Sequence, residues 1–255
     1  MSNILMARPL SDTATLTATT SLGAGNVVSN LQKIELSSVY RSSLVCEISI
    51  DMGAATEIDF IALVGHNGQG SVTIKAGATS AVSDYTSGAL DLITGTDYGL
   101  EKNIFAAQIT AQTYRYWKLE IDDTGNADGF FQAGRLYLSK SFQPQINADY
   151  GLEEGYFEQS KVQRTMSGGV SAVFRQALKT IKWSLSFGTR DEMYASLRDF
   201  DSLRGVTKDL IVIPDMSDTT YFQKRAVYGT FDELAPIINA YFGIFQKSFK
   251  VTEIL

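Results

Sequence analysis

The sequence predicts a mainly β protein of two domains, an N-terminal antiparallel jelly-roll sandwich and a C-terminal β-sandwich with one α-helix. Through most of the chain hydrophobic residues alternate with polar ones, which is the period of a strand with one buried face. Clusters of Gly, Asn, Asp and Ser separate these runs, and only one stretch has helical periodicity. A length of 255 residues suits two domains of ordinary size.

The first 143 residues contain the clearest strand patterns. The apolar members of two alternating runs are Cys46, Ile48, Ile50, Trp117, Leu119 and Ile121. Residues 58–67 are apolar at nearly every position, as in a strand that is buried on both faces. Short strands joined by polar turns, without a convincing helix, predict an antiparallel sandwich or jelly roll over residues 1–143.

The pattern changes after Pro144. Residues 144–155 lack clear periodicity and predict a linker. Strands are predicted again at 156–165 and 170–176. In the next run the apolar positions are Ile181, Trp183, Leu185 and Phe187. The second domain is therefore predicted to span residues 156–255.

One helix is predicted within this second domain, over residues 190–204. Thr189 and Glu192 have the spacing of a capping box, in which each side chain serves a backbone N–H of the other residue. Gly205 stands where a left-handed C-terminal cap is favoured. The expected apolar stripe consists of Met193, Leu197, Phe200 and Leu203.

Charge and cysteine content exclude several classes of protein. The net charge is −6, divided into −5 for residues 1–142 and −1 for residues 143–255, so neither part has the positive surplus that binding to a nucleic acid backbone needs. Cys46 is the only cysteine, which excludes an intrachain disulfide. No apolar stretch approaches the roughly 18 residues of a membrane span or resembles a signal peptide. We therefore expect synthesis and folding in a reducing cytoplasm.

The residues needed for catalysis are scarce. His66 is the only histidine, no G-x-S-x-G motif accompanies it, and we interpret it as a hydrogen-bonded residue of a turn. The sequence contains no Walker A loop and no standard zinc motif. Its adjacent acids are interpreted as solvated turn residues, because neighbours in a strand point to opposite faces. We predict a protein that is not an enzyme and uses no cofactor.

The loop Asp122–Asp128 is rich in oxygen-bearing side chains and suggests calcium. An EF-hand loop that started at Asp122 would need Gly at its sixth position and Glu at its twelfth, where this chain has Ala127 and Ala133. The loop therefore fails as an EF-hand. A looser calcium site on the edge of a sandwich stays open, beside the simpler interpretation as a solvated turn.

A basic segment follows the domain boundary. Residues 159–182 carry five basic side chains and no acid, around a loop that contains Gly168 and Gly169. The segment is either a solvated hairpin or a contact between subunits that charge holds in register. The candidate interface residues are Lys161, Arg164, Gly168, Gly169, Arg175 and Lys179.

Several stretches resemble known families. Residues 22–30, the Tyr40–Ser42 segment that leads into residues 47–67, and RYWKLEID with the closing GRLYLSKSF resemble the galactose-binding-like (discoidin-type) jelly roll. The junction GRLYLSKSFQPQINADYGLEEG resembles tail-tip proteins of long-tailed bacteriophages that carry this jelly roll. The later strand, capped helix, DLIVIPD strand and YGTFDE are similar to the tail-tube-like fold of distal tail proteins.

This resemblance implies a structural protein of the virion at the tail tip. It implies a ring, commonly hexameric, that joins the tail tube to the hub proteins of the baseplate, with the jelly roll on the outside. The order of the two domains differs from that of the better-known distal tail proteins, so the choice between a distal tail protein and another minor tail protein stays open.

An alternative function is recognition of host surface glycans by the jelly roll, since domains of this family often bind sugars. Sugar sites need exposed aromatic rings and polar groups that orient hydroxyls. Tyr85, Tyr98 and Phe130 lie near predicted turns and are the candidates, whereas Trp117 is expected in the core. A calcium-dependent or hydrolytic enzyme is the third hypothesis.

Overall fold

The computed structural model describes residues 2–98, 103–166 and 168–254. It is mainly β, and antiparallel pairs build its sheets, so the predicted fold class is confirmed. The chain divides into two compact units, one formed by Met1–Gln143 with Ile213–Ala226, the other by Pro144–Val212 with Val227–Leu255. No described helix is long and apolar enough to cross a bilayer.

The first unit is built from nine strands and two short 3-10 turns among its described residues. The strands are β1 (Leu5–Ala7), β2 (Thr15–Ala18), β3 (Tyr40–Ser42), β4 (Val45–His66), β5 (Ser71–Gly77), β6 (Tyr85–Asp91), β7 (Asn103–Asp122), β8 (Phe131–Ala133) and β9 (Arg135–Ser139); the turns are Ser11–Thr13 and Val28–Gln32. The main sheet has the order β2-β4-β7-β5-β6, with β9 also paired to β4. Strands β3 and β8 pair separately.

Strands β4 and β7 are long enough to contribute to two layers. Residues 45–51 of β4 pair with residues 116–122 of β7, and residues 56–66 pair with residues 103–114. The register shifts between the two parts, as at a β-bulge, where a strand changes direction. Side chains from both parts share one hydrophobic core, among them Ile48, Trp117, Ile61 and Phe105. The sheet is thereby folded into the two layers of a sandwich.

The alternation predicted for this unit is confirmed. The six apolar residues of the two alternating runs are all buried, Trp117 included. Every residue from Phe60 to His66 is also buried, as predicted for a strand covered on both faces.

The segment Ile213–Ala226, which contains the short helix α2 (Phe222–Arg225), belongs to the first unit rather than to the second domain that the sequence suggested. The reason is a hydrogen-bonding side chain. The Gln223 side-chain amide accepts a hydrogen bond from the Ile104 N–H (2.9 Å) and donates one to the Ile104 carbonyl (2.8 Å). It thus takes the place of a neighbouring strand at an edge of β7 that no described strand covers.

The second unit has one sheet and a separate hairpin. Its strands are β10 (Glu153–Phe157), β11 (Lys161–Arg164), β12 (Val170–Val173), β13 (Leu178–Gly188), β14 (Leu210–Ile213), β15 (Val227–Phe231), β16 (Ile238–Tyr241) and β17 (Ile244–Glu253). The sheet has the order β14-β15-β17-β13-β10, with β16 on β17. Among the described strands, β11 and β12 pair only with each other.

Two details of this unit differ from the sequence prediction. Residues 153–155, placed in the linker 144–155, already belong to β10, which pairs with β13 from Glu153↔Lys182 onward. Phe187, expected to face the core, is 56% exposed. A register shift between Leu185 and Gly188 breaks the alternation before Phe187, so its side chain leaves the buried face.

The predicted helix spans residues 190–204, with a π-helical middle (Glu192–Leu197) and a regular last part, α1 (Arg198–Arg204). The capping box is confirmed, since the Thr189 N–H donates to Glu192 Oε2 (2.8 Å) and the Glu192 N–H donates to Thr189 Oγ1 (3.3 Å). Gly205 ends the helix with φ of +56°, in the range that favours glycine, although its ψ of −150° is not that of a left-handed helical cap.

The apolar stripe of the helix is confirmed at three of its four positions. Met193, Leu197 and Phe200 are buried, but Leu203 is 44% exposed. Arg204, seven residues after Leu197, takes the inward position instead. Its guanidinium is satisfied there by the Asp209 carboxylate (2.7 Å) and the Asp209 carbonyl (2.6 Å).

Candidate functional site

The hairpin formed by β11 and β12 is an exposed feature of the second unit. Its register runs from Lys161↔Val173 to Arg164↔Val170. At its base, the Ser160 hydroxyl donates to the Arg175 carbonyl (3.1 Å) and accepts from the Arg175 N–H (2.8 Å). These bonds make residues 160–175 one structural element, which we call the basic hairpin.

Both faces of the basic hairpin are exposed to solvent. Every residue of its two strands is exposed, including three valines that are at least 60% exposed, Val162, Val170 and Val173. Met166 in the loop and Phe174 beyond the second strand are exposed as well. Val162 shares one face with Arg164, and Val173 shares the other with Lys161. Each face therefore combines an apolar side chain with a cation.

The basic hairpin holds five of the six interface residues predicted from the sequence. Gly168 and Gly169 form its loop, where the Gly169 N–H donates to the Thr165 hydroxyl (2.9 Å), and Ser167 lies outside the described residues. Lys179 does not belong to it. Lys179 lies in β13, and its backbone N–H donates to Glu253 Oε2 (2.8 Å). Burial lowers the pKa of the Lys179 ammonium group, and the charge of the Glu253 carboxylate opposes this shift.

Of the predicted aromatic residues, Tyr85 lines a cleft of about 420 Å³ in the first unit. The cleft lies between β6 and the first half of β7, and its polar residues include Ser87, Asp91 and Thr94. The hydroxyls of Ser87 and Thr94 bond to backbone groups. Within the described chain, the Tyr85 hydroxyl and the Asp91 carboxylate make no hydrogen bond, so both can reach a ligand. Burial raises the pKa of the Tyr85 phenol.

Tyr98 and Phe130 lie outside this cleft, and other side chains or backbone groups contact them. The Tyr98 hydroxyl donates to the Thr220 carbonyl (2.6 Å), and the Lys224 ammonium lies 3.9 Å from the centre of its ring. The Arg41 guanidinium lies 4.6 Å from the centre of the Phe130 ring and also donates to Gln132 Oε1 (2.7 Å). Each ring has a face covered by a cation, which leaves less room for stacking on a sugar. Tyr85 alone of the three lines a described cleft.

The acidic loop 122–128 supports the fold. Asp123 is fully buried, contrary to its interpretation as a solvated acid, and Asn126 is nearly so. Asp123 Oδ1 accepts the N–H groups of Gln69 and Gly70 (2.8 Å each), and Oδ2 accepts Asn126 Nδ2 (2.7 Å). Because these carboxylate oxygens already accept N–H groups, their lone pairs are not available to a cation. In the described chain no three acidic, His or Cys side chains are placed to hold a metal ion.

Replacing Asp123 with alanine is expected to lower the free energy of unfolding by about 2 kcal/mol, because two backbone N–H groups lose a charged, buried acceptor. Urea unfolding at neutral pH measures the change. Asp122→Ala is the matched control, since the neighbouring carboxylate is exposed and should change stability by less than about 0.5 kcal/mol. Equal losses in the two variants would contradict a structural role that is specific to Asp123.

His66 and Cys46, whose side chains are of types that act in catalysis, are both buried. His66 was interpreted as a hydrogen-bonded turn residue, but it is fully buried and neither ring nitrogen has a hydrogen bond of good geometry to the described residues. Burial lowers the pKa of His66 to about 4, which the nearby Gly68 backbone offsets only in part. Burial also raises the pKa of the Cys46 thiol. Neither group can reach a substrate from the surface.

Comparisons with known proteins find structural likeness only. No family model matches the chain, and no curated protein does. The similar solved structures include the family 32 CBM of NanJ from Clostridium perfringens in complex with galactose, at 15% identity and a TM-score of 0.42 over 53% of this chain and 99% of that one. A chitosan-binding module of a chitosanase/glucanase from Paenibacillus sp. IK-5 has 17% identity and a TM-score of 0.40, over 51% and 98% of the two chains.

The lectin domain of lectinolysin complexed with Lewis B antigen is a further example, with 13% identity and a TM-score of 0.40 over 51% of this chain and 95% of that one. All three are carbohydrate-binding domains. Likeness at this level carries no argument about the ligand of this chain, which has to come from its own residues.

Proposed function

We propose that the chain is a non-catalytic assembly protein whose copies associate through the basic hairpin. The observation that carries this proposal is the exposure of Val162, Val170 and Val173 on a hairpin that pairs with no other described strand. A two-stranded hairpin is marginally stable alone, and burial of its side chains against a partner stabilises it.

The positive charge of the hairpin complements the negative charge of the rest of the chain, which favours a second copy as its partner. Residues 160–175 carry a charge of +3, while the chain as a whole carries −6, so the remaining residues carry −9. An acidic surface on a neighbouring copy therefore attracts the hairpin and helps to set its orientation.

In its finer form, the proposal is a structural component of a bacteriophage tail tip, made in the host cytoplasm and incorporated into the virion. Copies would form a closed ring, of six subunits on the family pattern, between tail tube and hub, with the second unit in the ring. Electron microscopy of the purified protein tests this form. We expect closed rings of uniform diameter, whereas single particles of one subunit at high concentration would contradict it.

A second candidate function is carbohydrate recognition by the first unit. The observation that favours it is the cleft at Tyr85, where the phenol of this residue stands beside the Asp91 carboxylate. Within the described chain neither the phenol hydroxyl nor the carboxylate makes a hydrogen bond. An aromatic surface with a few polar groups is the usual composition of a sugar site. The volume of about 420 Å³ accommodates a sugar residue.

Replacing Tyr85 with alanine is expected to weaken glycan binding at least about tenfold, because the stacking surface of the cleft is lost. A glycan array identifies a bound glycan, and calorimetry with that glycan measures the loss. Tyr150→Ala, which changes a fully exposed tyrosine of the second unit, is the matched control. Binding that survives Tyr85→Ala unchanged would exclude this cleft as the sugar site.

A further inference from the structure

A second cleft of the first unit, of about 380 Å³, lies on the outward face of the layer that contains β2 and the first part of β4. Thr15 lies opposite Asp51 and Thr17 opposite Ser49 in adjacent strands, and Asp51 in turn lies opposite Tyr116 of β7. These residues alternate with the core residues Ile50 and Trp117, so their side chains share the outward face. Because many hydroxyls line it, we call it the hydroxyl cleft.

The hydroxyls of this cleft are available to a ligand. Five of the lining residues have a hydroxyl group that makes no hydrogen bond within the described chain: Thr15, Thr17, Ser49, Ser80 and Tyr116. This differs from the Tyr85 cleft, where Ser87 and Thr94 already bond to the backbone. Each free hydroxyl can both donate and accept a hydrogen bond.

The charges around the cleft are paired with one another. Arg115 binds the Asp51 carboxylate through two hydrogen bonds of 2.7 and 2.8 Å. The hydrogen bond from this guanidinium is the main reason why the pKa of Asp51 is lowered to about 2. On the same face Lys118 pairs with Glu47 at 3.0 Å. The cleft thus offers hydrogen-bonding groups without an unpaired charge, which suits a neutral ligand better than an ion.

One wall of the cleft is a strained loop. Val82 has φ of +46°, a conformation that β-branched residues rarely adopt, and its side chain is buried. The loop is held by bonds from the Val82 N–H to the Thr79 carbonyl (3.0 Å) and from the Ala78 N–H to the Asp84 carboxylate (2.8 Å). Strain of this kind persists where the surrounding structure enforces it, and it is concentrated at ligand sites.

We propose that the hydroxyl cleft binds a neutral polyol, such as one residue of an uncharged sugar. Hydroxyls on several sides can exchange hydrogen bonds with those of the ligand, and the Asp51 carboxylate, oriented by Arg115, supplies a strong acceptor. The proposal rests on the carbohydrate-binding candidate for its ligand class, but it assigns the ligand to a site that the sequence did not indicate.

The test is a titration of the full-length, isotope-labelled protein with galactose, and separately with the anionic sugar glucuronic acid, followed by NMR. We expect galactose to shift the amide signals of residues 15–17, 49–51 and 80–82 in a saturable way, and glucuronic acid to bind at least about tenfold more weakly. The double variant Thr17→Val with Ser49→Ala should weaken galactose binding at least about tenfold. Thr113→Val, at an exposed position of β7, is the matched control.

The outcomes separate this proposal from the candidate function. Loss of binding in the Thr17/Ser49 variant, with Tyr85→Ala unaffected, supports the hydroxyl cleft. Loss only in Tyr85→Ala overturns the hydroxyl cleft and keeps carbohydrate recognition. Tighter binding of glucuronic acid than of galactose overturns the neutral ligand class. Absence of shifts at millimolar galactose overturns the hydroxyl cleft, while the glycan array still decides on the Tyr85 cleft.

Discussion

Replacing Val162 and Phe174 with serine is expected to convert the assembled protein into monomers. Both side chains are more than half exposed in the single chain, and burying them against a neighbour contributes roughly 1.5–3 kcal/mol each. Their loss should therefore weaken association by a factor on the order of 100 or more. Light scattering coupled to size-exclusion chromatography measures the mass of the particle directly.

The control for this variant is Val206→Ser. Val206 is 47% exposed in the second unit but lies outside the basic hairpin. The Val206→Ser variant should assemble as the unchanged protein does. Circular dichroism should be the same for all three proteins, because exposed side chains contribute little to folding of the monomer. If the hairpin variant assembles normally, the contact between copies lies elsewhere.

Lowering the pH from about 7.5 to about 4.5 is expected to reduce the free energy of unfolding by about 2–3 kcal/mol through His66. The pKa of this buried imidazole is about 4 in the folded protein and near 6.5 in the unfolded chain. Between these values the unfolded chain binds a proton that the folded protein does not, so stability rises with pH across this window and is lost as pH falls. Urea unfolding at several pH values measures the slope.

His66→Phe is the variant that isolates this effect, since it removes the titrating group and keeps an aromatic ring. Its stability should change much less between pH 6.5 and 4.5 than that of the unchanged protein. The carboxylate of Asp51, whose pKa is lowered to about 2, acts in a lower window, because its contribution is lost only as pH falls from its ordinary pKa toward 2. An identical slope in His66→Phe would show that other groups cause the pH dependence.

Much of the fold could be predicted because alternation reports directly which face of a strand is buried. The apolar members of the runs at Cys46–Ile50 and Trp117–Ile121 are buried as expected, and the helix begins at the capping box of Thr189 and Glu192, where the spacing indicates. The position of Ile213–Ala226 could not be predicted. It depends on the Gln223 amide, which pairs with the Ile104 backbone 119 residues away and leaves no local pattern.

The sites were less accessible to sequence reasoning. Lys179 was predicted to belong to the basic hairpin on its charge alone. Its backbone hydrogen bond to Glu253 is a tertiary contact, which residue spacing in the sequence does not show. The hydroxyl cleft was missed because Thr15, Thr17 and Ser49 look like ordinary polar positions of alternating strands. Only the strand register brings them together. The buried Asp123 was likewise hidden within a run of acids that looked solvated.

The most direct test of the assembly proposal is native mass spectrometry of the full-length protein over a range of concentrations. A closed oligomer of one defined size, which the Val162/Phe174 serine variant fails to form, is the result that we predict. A protein that stays monomeric at the highest concentration would contradict the proposal that the basic hairpin joins copies of this chain.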